Sequence, residues 1–324
     1  MSDTFKRLAG NVLWNISYNS PAMREKVWPY GIRTRNHWFV GKMARAFLPD
    51  GKSIRLTNIE RNFMAFLLHW HGWIAYEPIT LLLIKDLLKD RQCFVHVGGN
   101  IGYFPIAAAI QNPSLKIFAF EPNPKINEIF RANMRANHVN NVVCEGKAVS
   151  EATGTLKFYL GGSDMSGSLE SGFLNDHTGV VDVPIVSLDD YLKDRGDESR
   201  LVKIIVEGHE AAVIRGAKNT LSAPNTDIIL AVVRELDQES HDFLKAAGYS
   251  FYQITDDGLV PEEHIHFIRK GAFNYLDHLC TRRPPAEVKR ISDHLQAGMK
   301  GVDRKRTSYY RPEWEKSRPA IASE

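Results

Sequence analysis

Phe94 to Gly102 reads Phe-Val-His-Val-Gly-Gly-Asn-Ile-Gly, and the next apolar run, Ile117 to Pro122, closes on Glu121. Phe94 to Val97 is short, apolar and rich in strand formers, so it predicts a buried β-strand. The glycines behind it permit a tight turn and a close approach of backbone to a ligand. Tyr103 to Ile110 has helix composition. A strand, a glycine turn, a helix, and an acid about twenty residues further on form an arrangement suited to an adenosine-containing cofactor. The helix N-terminus faces the ligand, and the acid accepts hydrogen bonds from ribose hydroxyls.

The pattern repeats outward from this block. Glu77 to Leu88 has apolar residues at helix spacing, with Pro78 in the first turn. Lys116 to Phe120 predicts a second strand. Asn123-Pro124 predicts a helix start, with Asn as N-cap and Pro at the first helical position. Val142 to Cys144 is a third strand, and Thr155 to Tyr159 and Val181 to Val186 are two more, separated by a Gly/Ser-rich loop at 161–172. A helix begins at Leu188. Leu201 to Val206 is a strand followed by a helix over Glu210 to Leu221, Asp227 to Val233 is another strand, and Ser240 to Ala247 a helix. Tyr249 to Ile254 and Ile265 to Ile268 bracket a turn at Asp257-Gly258 and predict a closing hairpin. Strands alternating with helices give an α/β fold with a mostly parallel sheet covered on both faces. Residues 1–75 are aromatic-rich and predict a cap, residues 76–270 the main domain, and residues 271–324 a basic extension with one helix at Ala286 to Ala297.

Composition narrows the function classes. The chain has 324 residues, of which 44% are hydrophobic and 24% charged, enough for a large α/β domain with appendages. No apolar run reaches the roughly 20 residues that span a bilayer, and the N-terminus lacks an apolar signal core, so a cytoplasmic location is expected. Cys93, Cys144 and Cys280 are odd in number and far apart, which argues against a disulfide framework or a zinc site. His264 and His266 share one strand face without a third ligand, so no metal is expected. Residues 1–60 carry +6, residues 61–280 carry −8 and residues 281–324 carry +5. Basic ends that pack on an acidic middle are the simple account. The alternative is attraction to an anionic membrane surface or polyanion. Nucleic acid is not an expected partner, and oligomeric state is not legible.

The glycine spacing then separates cofactors. The fingerprint GxGxxG from Gly98 would need glycines at 100 and 103, where Asn100 and Tyr103 stand, so a dinucleotide dehydrogenase is disfavoured. No GxxxxGK[ST] phosphate loop is present. A nucleoside without phosphates remains.

The ordered strings HVGGNIGYF, FAFEPNP, NMRANHVNNV, VSLDDYL and VKIIVEGHEAAVIRGAKNTL resemble the FkbM family of S-adenosylmethionine-dependent methyltransferases, over about residues 76–270. The resemblance implies a Rossmann-like class I fold with a seven-stranded sheet whose last strand is antiparallel. It also implies S-adenosyl-L-methionine as cofactor and methyl transfer to a hydroxyl of a small molecule, such as a secondary metabolite, or of a glycan. By position it places Gly98, Gly99, Asn100 and Gly102 around the methionine and adenosine portions, with His96 below them. Glu121 would hold the ribose hydroxyls, with Asn123 beside it and Lys147 and Ala148 near the adenine. The family pattern has Asp where this chain has His96 and Ile205. That departure motivates a second expectation, a degenerate methyltransferase fold acting as a binding or scaffold protein.

Removing a hydroxyl proton calls for a base at the carboxyl ends of the strands. Glu207, His209 and Glu210 follow a core strand at that edge and are the candidates. His209 has the most suitable ordinary pKa, about 6.5. Glu207 stands in the VEG string, and Glu210 equally suits the first turn of a helix. Asp164, Ser166 and Ser168 lie in the Gly/Ser loop, which is either a linker or a cover for substrate.

Overall fold

The computed structural model describes residues 43–58, 62–161, 167–171, 177–195, 198–266, 268–270, 273–275 and 277–302, with residues 18, 20, 22, 23 and 26. Most of the expected aromatic cap, Asp164 and Ser166 of the Gly/Ser loop, and the basic end past residue 302 lie outside the described residues. The chain divides into two compact units: Met1–Pro78 with Ala132–His138 and Val302–Glu324, and Ile79–Arg131 with Val139–Gly301.

In the first unit, β1 (Met43–Phe47) and β2 (Ser53–Thr57) form an antiparallel hairpin. Ala44, Ala46, Ile54 and Leu56 alternate onto one buried face, as period-2 patterning requires. Gly51, at φ +81°, makes the turn. Helix α1 (Phe63–His71) follows, capped by Asn62, whose Oδ1 accepts the Ala65 N–H at 2.8 Å. Two asparagines of the segment 132–138 satisfy the backbone of β2. Asn137 accepts from Arg55 N at 2.8 Å and donates to Arg55 O at 2.7 Å, while Asn133 Oδ1 accepts from Thr57 N at 2.6 Å. These amides do for an edge strand what a neighbouring strand would do.

The second unit holds α2 from residue 79 onward (helix Pro78–Leu87), β3 (Cys93–Val97), α3 (Tyr103–Gln111), β4 (Lys116–Phe120), α4 up to residue 131 (helix Pro124–Ala136) and β5 (Val142–Glu145). Next come β6 (Ala148–Val149), β7 (Gly154–Gly161), β8 (Gly167–Ser168), β9 (His177–Val186) and α5 (Leu188–Leu192). The chain continues with β10 (Arg200–Ile204), α6 (Glu210–Arg215), α7 (Lys218–Ser222), β11 (Thr226–Ala231), α8 (Gln238–Ala246), β12 (Ser250–Thr255) and β13 (Gly258–Glu262). It closes with β14 (Ile268–Lys270), β15 (Phe273–Tyr275), β16 (Asp277–Thr281) and α9 (Pro285–Met299). The main sheet has the order β13-β12-β16-β11-β10-β3-β4-β5. Strands β11, β10, β3, β4 and β5 run parallel, and β16 is antiparallel to both its neighbours. This is the expected α/β architecture, with seven strands in the class I arrangement and β13 added as an eighth at the edge. A smaller sheet, β6-β9-β7-β8, packs Phe158, Val183 and Ile185 into its own core.

Three local readings change. The hairpin after β12 closes at once: Gly258, at φ +103°, pairs with Thr255, and β13 is the partner rather than residues 265–268. The antiparallel strand is β16, so the sheet extends past residue 270, where the sequence reading ends the domain. Polar Asp277 and His278 disguise a strand whose five residues are all buried. The helix expected over 286–297 is α9, and it packs on this hairpin, where Ser292 Oγ accepts the Leu259 N–H at 2.9 Å and fills the space beside Gly258. The helix expected over 210–221 breaks at Gly216-Ala217. A side chain at Gly216 would stand 2.1 Å from Ser150 O, and the Asp189 carboxylate caps the new helix start by accepting from Asn219 N and Thr220 N.

Alternation sorts the sheet into two faces. Val95, Val97, Phe120, Val202, Ile204, Ile228 and Leu230 share one apolar core. The other face carries charge. Asp227, 1% exposed, meets Arg91 at 2.7 Å and Arg283 at 2.9 Å and accepts from the Thr281 hydroxyl. Lys203, fully buried, lies over the Phe104 ring and 3.7 Å from the Asp277 carboxylate, to which Thr80 donates. Among the described residues, no helix is long and apolar enough to cross a membrane.

The Asp227 cluster yields a stability prediction. Asp227→Asn keeps the shape but leaves two nearly buried guanidinium groups short of a counter-charge. Removing one partner of a buried pair costs about 3–5 kcal/mol, so urea unfolding should show a loss of that order.

Candidate functional site

The turn after β3 is built by backbone. Gly98 N and Gly99 N both donate to Phe120 O, at 3.0 and 2.8 Å, which lays the turn across the end of β4. Gly98, at φ +89°, also touches the end of β10: a Cβ there would come within 1.9 Å of Ile205 O. Gly99 and Gly102 clear the Phe130 ring, which would meet a Cβ at 2.9 and 2.2 Å. Only glycine fits at 98, and α3 starts directly from this turn.

Glu121 joins the turn to the next helix. Its Oε2 accepts from Asn100 N at 2.8 Å, and its Oε1 accepts from Asn123 N at 2.9 Å. Asn100 holds φ +47°, which asparagine tolerates. Burial pushes the Glu121 carboxyl up to about 7, against the pull of these two N–H groups. A carboxylate has roughly four acceptor positions, so two N–H donors leave capacity for hydroxyls. Asn123 is committed as the cap of α4, with Oδ1 3.1 Å from Lys125 N. Asn127 ties the ends of β4 and β5 together by donating to Glu121 O and Glu145 O, each at 3.1 Å. Lys147 turns its ammonium to within 3.9 Å of Glu145, and Ala148 faces the core of the small sheet.

His96 sits elsewhere than the sequence reading suggests. Its ring stacks on Phe94, with centroids 5.8 Å apart, and meets Phe104 edge-on at 5.9 Å, so it lies beneath α3 and not in the turn. Both ring nitrogens lack a hydrogen-bond partner among the described residues. Burial, then the nearby Lys203 charge, holds its pKa well below the ordinary value, so it is a neutral core ring.

The loop after β10 carries the remaining candidates. Glu207 adopts φ +55° and is half-buried, and its carbonyl accepts the Ser168 hydroxyl at 2.8 Å. Glu210 points back into its own loop, where it accepts from Val206 N at 3.3 Å and Gly208 N at 3.2 Å. Burial pushes its carboxyl to about 7. That is a loop-holding role rather than a proton-accepting one. His209 is 9% exposed and is held at both nitrogens, Nδ1 at 2.6 Å from Glu170 Oε1 and Nε2 at 2.9 Å from Ser150 Oγ. Sequence reasoning named His209 but neither Glu170 nor Ser150. The three are separated by tens of residues and carry no local spacing signal. Of the other candidates, His264 and His266 stay apart from this loop: His266 Nδ1 lies 2.9 Å from His264 O, and the His264 ring packs on His241. Among the described residues, no three His, Cys, Asp or Glu side chains gather as a metal-binding group, and the three cysteines are buried and free.

Residues 96–251 match the family model of the methyltransferase FkbM domain. The 31-O-demethyl-FK506 methyltransferase FkbM of Streptomyces tacrolimicus is 28% identical over 210 residues, which cover 55% of this chain and 80% of that protein. Among solved structures, a methyltransferase FkbM from Methylobacillus flagellatus KT aligns with a TM-score of 0.40 at 12% identity, over 59% of this chain and 44% of that one, less than half its length. A SAM dependent methyltransferase from Agrobacterium tumefaciens aligns with a TM-score of 0.39 at 10% identity, over 76% of this chain and 72% of that one.

Glu210 yields a pH prediction. Its folded pKa of about 7 lies above the ordinary 4.5, so the native state holds the proton more tightly than the unfolded state. Its contribution is present below the ordinary pKa and is lost as pH rises through about 7. Glu210→Gln keeps the acceptor oxygen without the charge. Relative to wild type it should gain about 3 kcal/mol at pH 8 and about 1 kcal/mol at pH 5, measured by urea unfolding at both.

Proposed function

We propose that this chain, which belongs to the FkbM methyltransferase family through residues 96–251, transfers a methyl group from S-adenosylmethionine to a hydroxyl of a secondary metabolite or glycan. The observation that supports the reading is Glu121, a buried carboxylate that accepts two backbone N–H groups at the turn after β3, with His209, an imidazole held at both nitrogens, in the loop after the neighbouring β10. The residues present fit the cofactor. Glu121 has acceptor capacity for a ribose diol, and the glycines at 98, 99 and 102 put no side chain into the turn beside it. The resemblance assigns Lys147 and Ala148 to the adenine, but Lys147 turns to Glu145 and Ala148 faces the core of the small sheet, so Glu121 and the turn support the cofactor reading.

When bound, S-adenosylmethionine supplies an electrophilic methyl on a sulfonium. This chain's residues do the rest. His209 takes the hydroxyl proton at Nε2, and the Ser150 hydroxyl marks the position that an acceptor hydroxyl must reach or replace. A positioned base of this kind contributes about 10²–10⁴-fold. Glu207, at the crest of the loop, orients the acceptor. Holding the reacting groups in line supplies on the order of 7–11 kcal/mol of the barrier in well-oriented systems. The two acids of the family pattern, at 96 and 205, are absent here. His96 serves the core instead, and neither position is needed by Glu121 or His209.

Calorimetric titration of S-adenosylmethionine tests the cofactor half. Binding should tighten about tenfold from pH 6 to pH 8, because the ionised Glu121 is the form that accepts ribose hydroxyls and its pKa is about 7. Glu121→Ala should abolish most of the binding, and equal binding by the variant rejects the assignment. The chemical half is tested with labelled cofactor and a fractionated metabolite and glycan extract. Turnover to S-adenosylhomocysteine with a methylated product is expected, and His209→Gln should reduce it about 10²-fold or more. Tight binding without turnover in any fraction would favour the scaffold reading, which the residues at 96 and 205 motivate.

A further inference from the structure

We infer that Glu170 is a positioning residue for His209, and that the short segment 167–171 is docked on the catalytic loop to deliver it. The inference rests on the reading of His209 as the proton acceptor. Glu170 lies 39 residues before His209, so nothing local brings them together. Three contacts do. Strand β8 pairs with the end of β7, Tyr159 opposite Ser168. Gly167 lies so close to Phe158 that a Cβ would stand 2.4 Å from the ring. The fully buried Ser168 donates its hydroxyl to Glu207 O at 2.8 Å and accepts from Glu170 N at 3.0 Å. One serine thus latches the segment to the loop and sets the backbone of Glu170.

The chemistry follows from donor and acceptor roles. A carboxylate only accepts, so the 2.6 Å contact places the imidazole proton on Nδ1. Nε2 is then the acceptor, and the Ser150 hydroxyl donates to it. Without Glu170 the ring is free to reverse, because a serine hydroxyl donates or accepts equally well. Glu170 therefore fixes which nitrogen is available, and its negative charge offsets the imidazolium formed when Nε2 gains a proton. The Glu170 side chain is 44% exposed, and so lies open to solvent behind the ring.

The test begins on the protein without cofactor. Nitrogen-15 NMR of histidine-labelled protein should show the His209 proton on Nδ1, and Glu170→Ala should give a mixture of tautomers. With labelled S-adenosylmethionine and an extract fraction that supports turnover, Glu170→Ala should lower kcat about 10²-fold while the cofactor Kd changes less than about threefold. Glu170→Asp should restore part of the rate. Glu170→Gln repeats both measurements with the shape of the segment kept, since its amide can also donate. A wild-type proton on Nε2, or a tautomer unchanged in both variants, overturns the inference. So does turnover within twofold of wild type in Glu170→Ala while His209→Gln abolishes it. If His209→Gln leaves turnover intact, the base assignment fails first, and a tautomer shift in Glu170→Ala would then mark Glu170 as a structural holder of the ring, which also overturns its positioning role.

Discussion

One carboxylate joins the turn after β3 to the start of the helix after β4. Glu121 accepts the N–H of Asn100 from the turn after β3 and the N–H of Asn123 at the start of α4. The turn cannot move independently of that joint, because Gly98 and Gly99 hang from Phe120 O, one residue before Glu121. The end of β10 closes the third side, where Ile205 O leaves no room for a side chain at 98. Three strand ends therefore meet around one turn, and Glu121 braces it. The arrangement holds that acid in a dry place with only two backbone donors, and this raises its pKa to about 7. A carboxyl in that condition is destabilised when ionised and gains from any hydroxyl that reaches it. The strain of burial and the capacity to bind have the same origin.

The same logic distinguishes two buried acids. Glu210 and Glu121 are both buried and both raised, yet their surroundings assign them differently. Glu210 curls back onto Val206 N and Gly208 N and stabilises a loop that must hold Glu207 at φ +55°. His209, one residue earlier, meets partners from two other elements. Adjacent positions in the sequence thus hold different parts of the structure.

Much of this was legible in the amino-acid order. The strand, turn and helix at 93–111, the acid at 121 and the Asn-Pro helix start follow from local rules of backbone geometry, and those rules act within a few residues. What escaped the reading depends on residues far apart. Strand β16 was hidden because Asp277 and His278 look like loop residues, and their burial is tolerated only where Lys203 and Thr80 arrive from other elements to meet Asp277. The break at Gly216 is set by Ser150 O, across the fold. Asn133 and Asn137 read as a polar helix end, yet they complete the backbone pairing of β2. Glu170 could not be singled out from a Gly/Ser-rich stretch whose spacing carries no period.

His96 shows how position and role separate. It stands in the strand that identifies the fold, at a residue where an acid would be expected to face cofactor. The alternation of that strand turns its side chain toward Phe104 and α3 instead, onto the face that also carries Lys203. An acid on this face would face Lys203 across the register, 96 opposite 203, and would be paired by it. A neutral imidazole needs no such partner, and Lys203 is left to Asp277, 3.7 Å away. That ion pair links β10 to β16, the strand inserted antiparallel between β11 and β12. The residue at 96 therefore belongs to the core face that Lys203 and Asp277 share.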